Sequence, residues 1–342
     1  METLRTDVAI VGAGPIGLEL AVALKGKGID YAHFEARQIG YTISWFAPQT
    51  RFFSSNERIA IAGVPLQTPD QGKASREIYL AYLRSVVEQF DLEVHAYHRV
   101  IAIHRADGEF FLTMLHGKKR TRCRCRRLVL CTGGTDRPRK LGIPGEDLPH
   151  VSYYLKDPHD FFKSRLLIIG GKNSAVESAL RCYQAGARVA VSYRGAQFEP
   201  KSIKYWLLPE INGLVQEGKI AGHFQTTPVE ITPEFVRLRE GDSTISVPAD
   251  FVLMQIGYEQ DTSLFELAGI ELSGDCKAPA FDPATMETNV PGLYVAGTAV
   301  GGTQEKYRVF IENCHVHVGR IVSALVGAAP PPTPKPLASP ES

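Results

Sequence analysis

Three glycines near the start of the chain have the spacing of a phosphate-binding turn. Gly12, Gly14 and Gly17 form a G-x-G-x-x-G pattern directly after the apolar, β-branched run 8–11. That run predicts a buried parallel strand, and the apolar periodicity after it predicts a helix to about Lys27. In such a strand–turn–helix unit, the glycines allow a tight turn, a close approach of a pyrophosphate and close helix packing. The free N–H groups at the helix start then favour an anion.

An acidic residue follows the next predicted strand, at a position suited to a ribose. Residues 31–34 are expected to form this strand, and Glu35 comes 23 residues after Gly12 (35 − 12). A carboxylate there can accept hydrogen bonds from ribose hydroxyls. The pattern therefore favours a dinucleotide site over a glycine turn without a ligand.

A second glycine turn, GGKNSA at 170–175, follows the apolar strand 165–169 and opens a helix to Ala185. Lys172 replaces the usual second glycine, so it could pair with a phosphate or crowd the backbone approach. The position 23 residues after Gly170 (193 − 170) is Tyr193, and Arg194 follows it. An acid there would favour NAD, whereas a cation accommodates the 2′-phosphate of NADP. Lys201 and Lys204 also lie nearby in the sequence. We therefore predict NADP at this turn, with plain surface charge as the alternative for each of these two lysines.

Length and composition narrow the classes of function. A chain of 342 residues suits two domains, and its net charge of +1 predicts neither a nucleic-acid nor a membrane partner. No apolar run approaches a membrane span, and a first strand from about Asp7 leaves no room for a signal peptide. The six scattered cysteines form no C-x-x-C pair and no zinc spacing. We expect a cytoplasmic, reduced protein without a metal site.

Two surface features could contact other molecules. The run KKRTRCRCRR at 118–127 holds seven Lys or Arg. Its alternation predicts a strand with a solvated basic face; docking of an acidic partner or a phosphate is the alternative. The long loop after Glu35 carries Trp45, Phe46, Phe52 and Phe53. We expect it to cover a flat aromatic ligand, although these rings could also only fill the core.

The remaining elements complete two predicted domains. A helix is expected from Ser75 to Phe90, and short strands at 93–97, 100–105 and 109–115. Strands ending at 130 and 296 lead into glycine turns, and a long helix is predicted from roughly Lys306 to Val326. We assign residues 1–148 and 262–329 to a discontinuous first domain and 149–261 to a second. Residues 330–342 are proline-rich and predicted to be disordered.

With both motifs placed, the chain resembles the thioredoxin-reductase-like flavoproteins, and among them the bacillithiol-disulfide reductases of the YpdA or Bdr type. The resemblance covers nearly everything except the proline-rich tail. The stretches that carry it are Phe52–Arg58, Ile143–Ser152, Gly170–Val176, Tyr193–Gly195, Asn289–Tyr294 and Phe310–Asn313. It implies an α/β fold of two Rossmann-like, three-layer ββα domains, the second inserted into the first. FAD is expected in the first domain and NADPH in the second. The resemblance also implies a homo-oligomer, either a dimer or a tetramer.

The resemblance and the motifs together give a set of expected cofactor contacts. For FAD these are Gly12, Gly14, Pro15, Ile16, Gly17, Glu35, Gln49, Phe53, Val100, Gly133, Gly297 and Thr298. For NADP they are Gly171, Lys172, Asn173, Ser174, Ala175, Arg194, Lys201 and Gly257. The helix near Lys306 would aim its positive end at the flavin, and turns near Gly134 and Gly257 are candidate hinges.

Two departures from the family concern thiols. Thioredoxin reductases carry a C-x-x-C before the second turn, where this chain reads HVSYYL. Bacillithiol-type relatives can place a single cysteine in the first turn, where this chain has Ile16. Cys131 is expected to pack as a small apolar residue rather than to act at the flavin. No catalytic residue is assigned. His315 and His317 on the C-terminal helix could approach the flavin, but solvent or core positions are expected for each.

Several functions remain open at this stage. The resemblance favours an NADPH-dependent FAD oxidoreductase that reduces a low-molecular-weight disulfide. A ferredoxin- or flavodoxin-NADP reductase, acting on a small redox carrier protein, is the second hypothesis. A flavin monooxygenase is a third, although the spacing from Gly145 to His150 misses the F-x-G-x-x-x-H pattern by one residue. A flavin-binding sensor with little turnover is the fourth.

Overall fold

The structure, a computed structural model, describes residues 3–304 and 308–332. Its α-helices alternate with strands in the way that βαβ units require. The helices are α1 Pro15–Gly26, α2 Tyr41–Ser44, α3 Asn56–Ile59, α4 Arg76–Gln89, α5 Asn173–Gln184, α6 Leu208–Gln216, α7 Ser263–Leu267 and α8 His315–Val326. Short 3-10 helices span Pro158–Phe161, Pro200–Ser202, Gly297–Gly301 and Ile311–Asn313.

The strands are mostly short. They are β1 Thr3–Val11, β2 Tyr31–Phe34, β3 Val94–His95, β4 Arg99–Ala106, β5 Glu109–His116, β6 Lys119–Leu130, β7 Arg137–Pro138, β8 Val151–Ser152, β9 Arg165–Ile169, β10 Arg188–Tyr193, β11 Ala221–Phe224, β12 Thr226–Ile231, β13 Phe235–Glu240, β14 Ser243–Pro248, β15 Phe251–Met254, β16 Tyr258–Glu259, β17 Leu272–Ser273, β18 Ala278–Pro279 and β19 Leu293–Val295.

The chain divides into two compact units. The first contains the residues before Trp45, Ser54–Arg137 and the described residues from Tyr258 onward; the second contains Trp45–Phe53 and Pro138–Gly257. These bounds differ from the predicted 148/149 and 261/262 divisions. They also place the aromatic segment Trp45–Phe53 with the second unit. The cofactor held by each unit stays a prediction.

A seven-stranded sheet forms the centre of the first unit. Its order is β3-β2-β1-β6-β5-β4, and β19 pairs with the C-terminal end of β6. Strands β1, β2, β3, β6 and β19 pair in parallel, whereas β4, β5 and β6 form an antiparallel meander. A meander was predicted for 93–97, 100–105 and 109–115, but β3, in the first of these segments, pairs in parallel with β2 instead. Val8, Ala9 and Ile10 are fully buried because the parallel part of such a sheet is covered on both faces. The ends of β1, β6 and β19 therefore meet at one edge.

Three layers form the second unit. A parallel sheet of order β11-β10-β9-β15-β8 lies in the middle. On one face, Leu166 and Ile168 of β9 pack with the buried side of α5. On the other face, Leu167 and Ile169 of β9 pack with the antiparallel sheet β12-β13-β14. Alternate residues of one strand thus face opposite layers, as strand geometry requires, and this is the ββα arrangement that the resemblance implied.

Local predictions hold where a capping or periodic signal is strong. Helix α4 begins after Ser75, whose hydroxyl accepts the N–H of Ile78 at 3.3 Å. The alternation predicted for 118–127 appears on β6, where Cys123 and Cys125 are buried and Arg122 and Arg126 are exposed. The loop after Glu35, however, contains the short helices α2 and α3.

The predicted helix from Lys306 to Val326 is wrong at its start. Lys306 lies outside the described residues, and α8 begins only at His315. Gln304 Oε1 accepts the N–H groups of Arg308 and Val309, at 2.8 and 2.9 Å. Asn313 Oδ1 accepts the N–H of Phe310 at 2.9 Å. The side-chain amides thus accept hydrogen bonds from the backbone N–H groups that would otherwise donate to helical carbonyls. Most of the proline-rich tail, residues 333–342, also lies outside the described part.

Candidate functional site

The first glycine turn is shaped by backbone contacts that exclude side chains. Gly12 has φ +106°, and a Cβ there would lie 2.4 Å from the carbonyl oxygen of Cys131. A Cβ on Gly17 would lie 2.0 Å from the carbonyl oxygen of Gly12. The N–H of Gly12 donates to Phe34 O at 2.8 Å, which ties the turn to the end of β2. These two glycines serve the packing of the turn, as their positions in the motif predict.

The N-terminus of α1 is open for an anion. Gly14 is the N-cap, without a side-chain capping bond, and no atom lies within 4 Å of the position of a Cβ there. The first turn of α1 holds no acidic residue, and Pro15 starts the helix. The first N–H groups of a helix lack intrahelical partners and carry its positive dipole end. The turn therefore fits a pyrophosphate, which would approach the backbone at Gly14.

Glu35 lies where the second strand ends, directly beside the turn. Its Oε2 accepts the N–H of Ala13 at 2.7 Å, and Oε1 accepts the N–H of Arg37 at 2.8 Å. Burial raises the pKa of this carboxyl, against the backbone hydrogen bonds that lower it. Each carboxylate oxygen can accept a second donor, so the group can also receive ribose hydroxyls. The carbonyl oxygen of Glu35 accepts the N–H of His98 at 2.8 Å, which brings the start of β4, with buried Val100, to this strand end.

Two further glycine turns adjoin the first one. Gly133 follows β6 with φ +83°, and Gly297 follows β19 with φ +73°. The N–H of Gly134 donates to Thr298 Oγ1 at 3.0 Å, so the two turns are hydrogen-bonded to each other. A Cβ on Gly297 would lie 3.4 Å from Cβ of Ile16, a residue that is 5% exposed. The structure thus brings together most of the predicted FAD contacts at the C-terminal edge of one sheet.

Gln49 and Phe53 form the exception among the predicted FAD contacts, because they lie in the segment that packs with the second unit. Lys204 and Arg181 hold this segment. The sequence suggested Lys204 as a cation for a phosphate or as a surface charge, but it is buried; Arg181 was assigned no role. Lys204 Nζ donates to the carbonyl oxygen of Arg51 at 3.1 Å, and an N–H of Arg181 donates to that of Pro48. No local motif indicates such anchors.

The second turn repeats the packing of the first with different side chains. Gly170 has φ +137°, and a Cβ there would lie 2.3 Å from the carbonyl oxygen of Gln255. Its N–H donates to Ser192 O at 2.9 Å. A Cβ on Gly171 would lie 2.3 Å from the ring of Tyr193, so this glycine makes room for an aromatic side chain. Ala175 occupies the position of the third glycine and is buried.

Helix α5 also presents an anion-binding end. Lys172 is its N-cap, without a side-chain capping bond, and no acidic residue stands in its first turn. Asn173 and Ser174 follow in that turn, and Asn173 Oδ1 accepts the N–H of Lys204 at 2.6 Å. A lysine beside a positive helix end suits a phosphate, so the residues fit the predicted dinucleotide.

The cations predicted to select the cofactor lie beyond β10. Arg194 directly follows that strand, Lys201 lies in the 3-10 helix after it, and both are exposed. Lys201 is close in sequence to Lys204, whose N–H reaches the start of α5. Gly257, with φ +101°, accepts the N–H of Arg139 at 3.0 Å. The structure brings Arg194 to the strand end that matches Glu35 in the first unit.

The candidate histidines differ in their protonation. His317 is buried, its Nδ1 accepts the N–H of Gly297 at 3.2 Å, and burial lowers its pKa to about 4. His315 is half-buried; Nδ1 lies 2.7 Å from Glu19 Oε2, and Nε2 lies 2.9 Å from Arg58 O. Both partners of His315 are acceptors, so both ring nitrogens donate and the ring is an imidazolium. Each histidine thus holds structure together rather than facing solvent.

The buried thiols of Cys131 and Cys314 are poorly placed for nucleophilic chemistry. Cys131, beside the first turn, is buried, and desolvation raises its pKa to about 12. Burial raises the thiol pKa of Cys314 as well. Within the described residues no group of three or more His, Cys, Asp or Glu side chains could hold a metal ion. The same part of the chain contains no helix that is long and apolar enough to cross a membrane.

Comparison with known proteins places this arrangement in a family. Residues 9–297 match the pyridine nucleotide-disulphide oxidoreductases. The bacilliredoxin reductase Bdr of Bacillus subtilis is 36% identical over 94% of this chain and 98% of its own length. The bacillithiol disulfide reductase of Bacillus cereus superposes with a TM-score of 0.90 at 32% identity, over 94% of this chain and 99% of that one. A ferredoxin–NADP reductase of Ignicoccus hospitalis is 29% identical over 85% of this chain and 89% of its own.

These matches confirm the fold of two nucleotide-binding domains and the resemblance to the bacillithiol-disulfide reductases. They also confirm that the chain is a flavin-dependent oxidoreductase whose cofactors are FAD and NADPH. On the strength of a match that spans most of its length, the chain belongs to the pyridine nucleotide-disulphide oxidoreductase family.

Proposed function

We propose that the protein uses NADPH, in preference to NADH, to reduce a low-molecular-weight disulfide of the bacillithiol type. The observation that carries this proposal is the 36% identity, over 94% of the chain, to a bacilliredoxin reductase. The overall reaction would be NADPH + H⁺ + R–S–S–R → NADP⁺ + 2 R–SH. Bound FAD would supply the two-electron chemistry between the nicotinamide and the disulfide.

The chain's own residues would bind and orient the two cofactors. The N–H groups of the first turn of α1 would hold one pyrophosphate, and Glu35 would hold the adjoining ribose. The α5 end with Lys172 would hold the second pyrophosphate. Arg194 would pair with the 2′-phosphate, which NADH lacks.

The proposed reduction draws its electrons from the bound cofactors rather than from a protein dithiol. The thiolate is the reactive form of cysteine, and the raised pKa of Cys131 keeps that thiol protonated at neutral pH. Ile16 stands where relatives can place a cysteine. We therefore expect Cys131→Ala to retain the turnover of the wild type with a disulfide substrate. A loss of tenfold or more, with FAD still bound, would contradict this route.

The proposal is tested with anaerobic steady-state assays of NADPH oxidation. Bacillithiol disulfide is expected to be reduced with one NADPH consumed for each disulfide and two thiols released. Ferredoxin is expected to be a poor acceptor. If low-molecular-weight disulfides give no turnover while ferredoxin does, the substrate assignment is wrong.

A ferredoxin–NADP reductase is the second candidate, and the relative from Ignicoccus hospitalis is the observation in its favour. The basic face of β6 is the obvious place to dock an acidic carrier. Arg122, however, lies nine residues before Cys131 (131 − 122), at the far end of an extended strand. At about 3.3 Å per residue this is about 30 Å from the cofactor edge. A carrier docked at this end of the basic face would lie far from the turns that we expect to hold FAD, which favours the disulfide substrate.

A further inference from the structure

A buried glutamine side chain links two of the turns at the cofactor edge. Gln260 is 2% exposed. Its Nε2 lies 2.9 Å from the carbonyl oxygen of Gly133 and 2.9 Å from that of Ala299. Gly133 belongs to the turn after β6, and Ala299 belongs to the 3-10 helix after β19. An amide –NH₂ has two hydrogens, so this group satisfies one acceptor in each turn.

The backbone of Gln260 is held as firmly as its side chain. Its N–H donates to Thr303 Oγ1 at 3.0 Å. Gln260 follows β16 directly, and the neighbouring Asp261 N–H donates to Asp136 Oδ2 at 2.8 Å. The amide therefore reaches the two turns from a backbone that is itself held by hydrogen bonds.

The acceptor end of the same side chain is left without a partner. Among the residues that the structure describes, Gln260 Oε1 is buried and makes no hydrogen bond. An unpaired buried oxygen costs stability, so a glutamine that only filled space would be a poor choice at this position. The two hydrogen bonds that Nε2 donates explain why a glutamine stands at this position.

We propose that Gln260 is a positioning residue for FAD, which acts by fixing the distance between the Gly133 turn and the Gly297–Gly301 turn. A second link, from Gly134 N–H to Thr298 Oγ1, spans the same two turns. Gly134 approaches so closely that a Cβ there would lie 2.7 Å from the carbonyl oxygen of Thr298. Gly133, Gly297 and Thr298 are all predicted FAD contacts, so the inference rests on the proposed FAD site.

The test compares FAD affinity and apoprotein stability in three single variants. Gln260→Met keeps the length of the side chain and removes both donors. Gln260→Glu keeps the shape but would aim an oxygen at two carbonyl oxygens. Gln255→Met is the matched control, because Gln255 is also buried but donates to Tyr153 O, at 3.0 Å, in the second unit. FAD Kd is measured by titration of each apoprotein, and Tm by thermal melting without FAD.

We expect Gln260→Met to raise the FAD Kd by about tenfold or more, Gln260→Glu to raise it further, and Gln255→Met to change it less than about threefold. The Tm of the apoproteins of Gln260→Met and Gln255→Met should differ little. Unchanged FAD affinity in Gln260→Met, or an equal change in Gln255→Met, would overturn the inference. If the wild-type protein itself fails to bind FAD, the proposed function falls instead.

A double-mutant cycle with the milder Gln260→Asn covers the case in which Gln260→Met or Gln260→Glu folds poorly. Thr298→Val removes the hydroxyl that accepts the N–H of Gly134. Thr298 is itself a predicted FAD contact, so the coupling between the two substitutions is measured rather than the single effect. If both links position the same two turns, the loss of FAD affinity in Thr298→Val is coupled to that in Gln260→Asn, and the double variant is non-additive. Additive effects on FAD Kd would contradict a shared positioning role.

Discussion

The two glycine turns share their packing and differ in the chemistry at the neighbouring strand end. In each, the first glycine lies against a backbone carbonyl, that of Cys131 for Gly12 and that of Gln255 for Gly170. The N–H groups of both glycines donate to the end of the next strand, at 2.8 and 2.9 Å. The difference is Glu35 in the first unit against Arg194 in the second.

This comparison separates what builds a dinucleotide site from what selects its ligand. Backbone contacts of the first glycine form the turn in both units. The N-cap position is open at Gly14 but carries a side chain at Lys172. The carboxylate of Glu35 suits ribose hydroxyls, whereas the guanidinium of Arg194 suits the 2′-phosphate of NADP. We therefore expect the choice of cofactor to depend on these few side chains around a shared backbone turn.

The largest expected effect comes from filling the open N-cap. Gly14→Glu should abolish FAD binding, because a carboxylate would occupy the approach of the pyrophosphate to the α1 end. Gly14→Ala is the control, since a Cβ there meets no atom within 4 Å. The flavin absorbance of each purified variant measures how much FAD it has bound. Yellow Gly14→Glu protein would show that the pyrophosphate does not bind at this turn.

The second prediction concerns the support behind the second turn. Lys204 Nζ pairs with Glu177 Oε2 at 2.7 Å, and their side chains are 8% and 17% exposed. Lys204→Met leaves a nearly buried carboxylate unpaired, which should cost about 3–5 kcal/mol in the free energy of unfolding. Lys219→Met is the control; it breaks a pair of the same length, with Glu217, whose side chains are more than half exposed. Urea unfolding should show a much smaller loss of unfolding free energy for Lys219→Met than for Lys204→Met. Equal losses would show that the pair of Lys204 with Glu177 has no special structural role.

The third prediction tests cofactor selection at the second strand end. Arg194→Ala should raise the KM for NADPH by about 10- to 100-fold, because one charge-assisted contact to the 2′-phosphate is lost. The KM for NADH should stay nearly constant. Arg188, exposed at the opposite end of β10, provides the matched control. Equal effects of Arg194→Ala on both nucleotides would show that it does not contact the 2′-phosphate.

The smallest effect is expected from the ion pair that joins α1 and α8 behind the first turn. Desolvation would lower the pKa of His315, but the hydrogen bonds to Glu19 and Arg58 and the charges of Glu19 and Glu312 raise it overall. A raised folded pKa gives stability that is complete below about pH 6.5 and is lost as pH rises through the folded pKa. Wild type should therefore lose Tm, relative to His315→Gln, between pH 6 and pH 9. If the Tm of the two proteins changed in parallel with pH, the protonated state assigned to His315 would be contradicted.

Local sequence signals predicted the turns because their causes are local. Gly17 packs on the carbonyl oxygen of Gly12 within one strand–turn–helix unit, and Gly12 and Gly170 have positive φ. Glu35 and Arg194 follow these glycines 23 and 24 residues later (35 − 12 and 194 − 170). The start of α8 was mispredicted because the amides of Gln304 and Asn313 replace helical hydrogen bonds. Apolar periodicity carries no sign of that exchange.

Tertiary partners explain the other residues that the sequence could not reveal. Gln260 acts on Gly133, which is 127 residues earlier in the chain. Lys204 reaches Arg51 across 153 residues, and this contact holds the segment of Gln49 and Phe53 with the second unit. Neither residue type is unusual in its local context, so only the folded arrangement indicates a role.

Anaerobic titration of the purified, FAD-containing protein with NADPH tests the central claim most directly. That claim is that the first turn holds FAD, that the second turn holds NADPH, and that electrons pass from NADPH to FAD. Addition of one equivalent of NADPH should bleach the flavin absorbance near 450 nm (about two electrons per flavin), and NADH should do so far more slowly. Flavin that keeps its absorbance under excess NADPH would contradict the account.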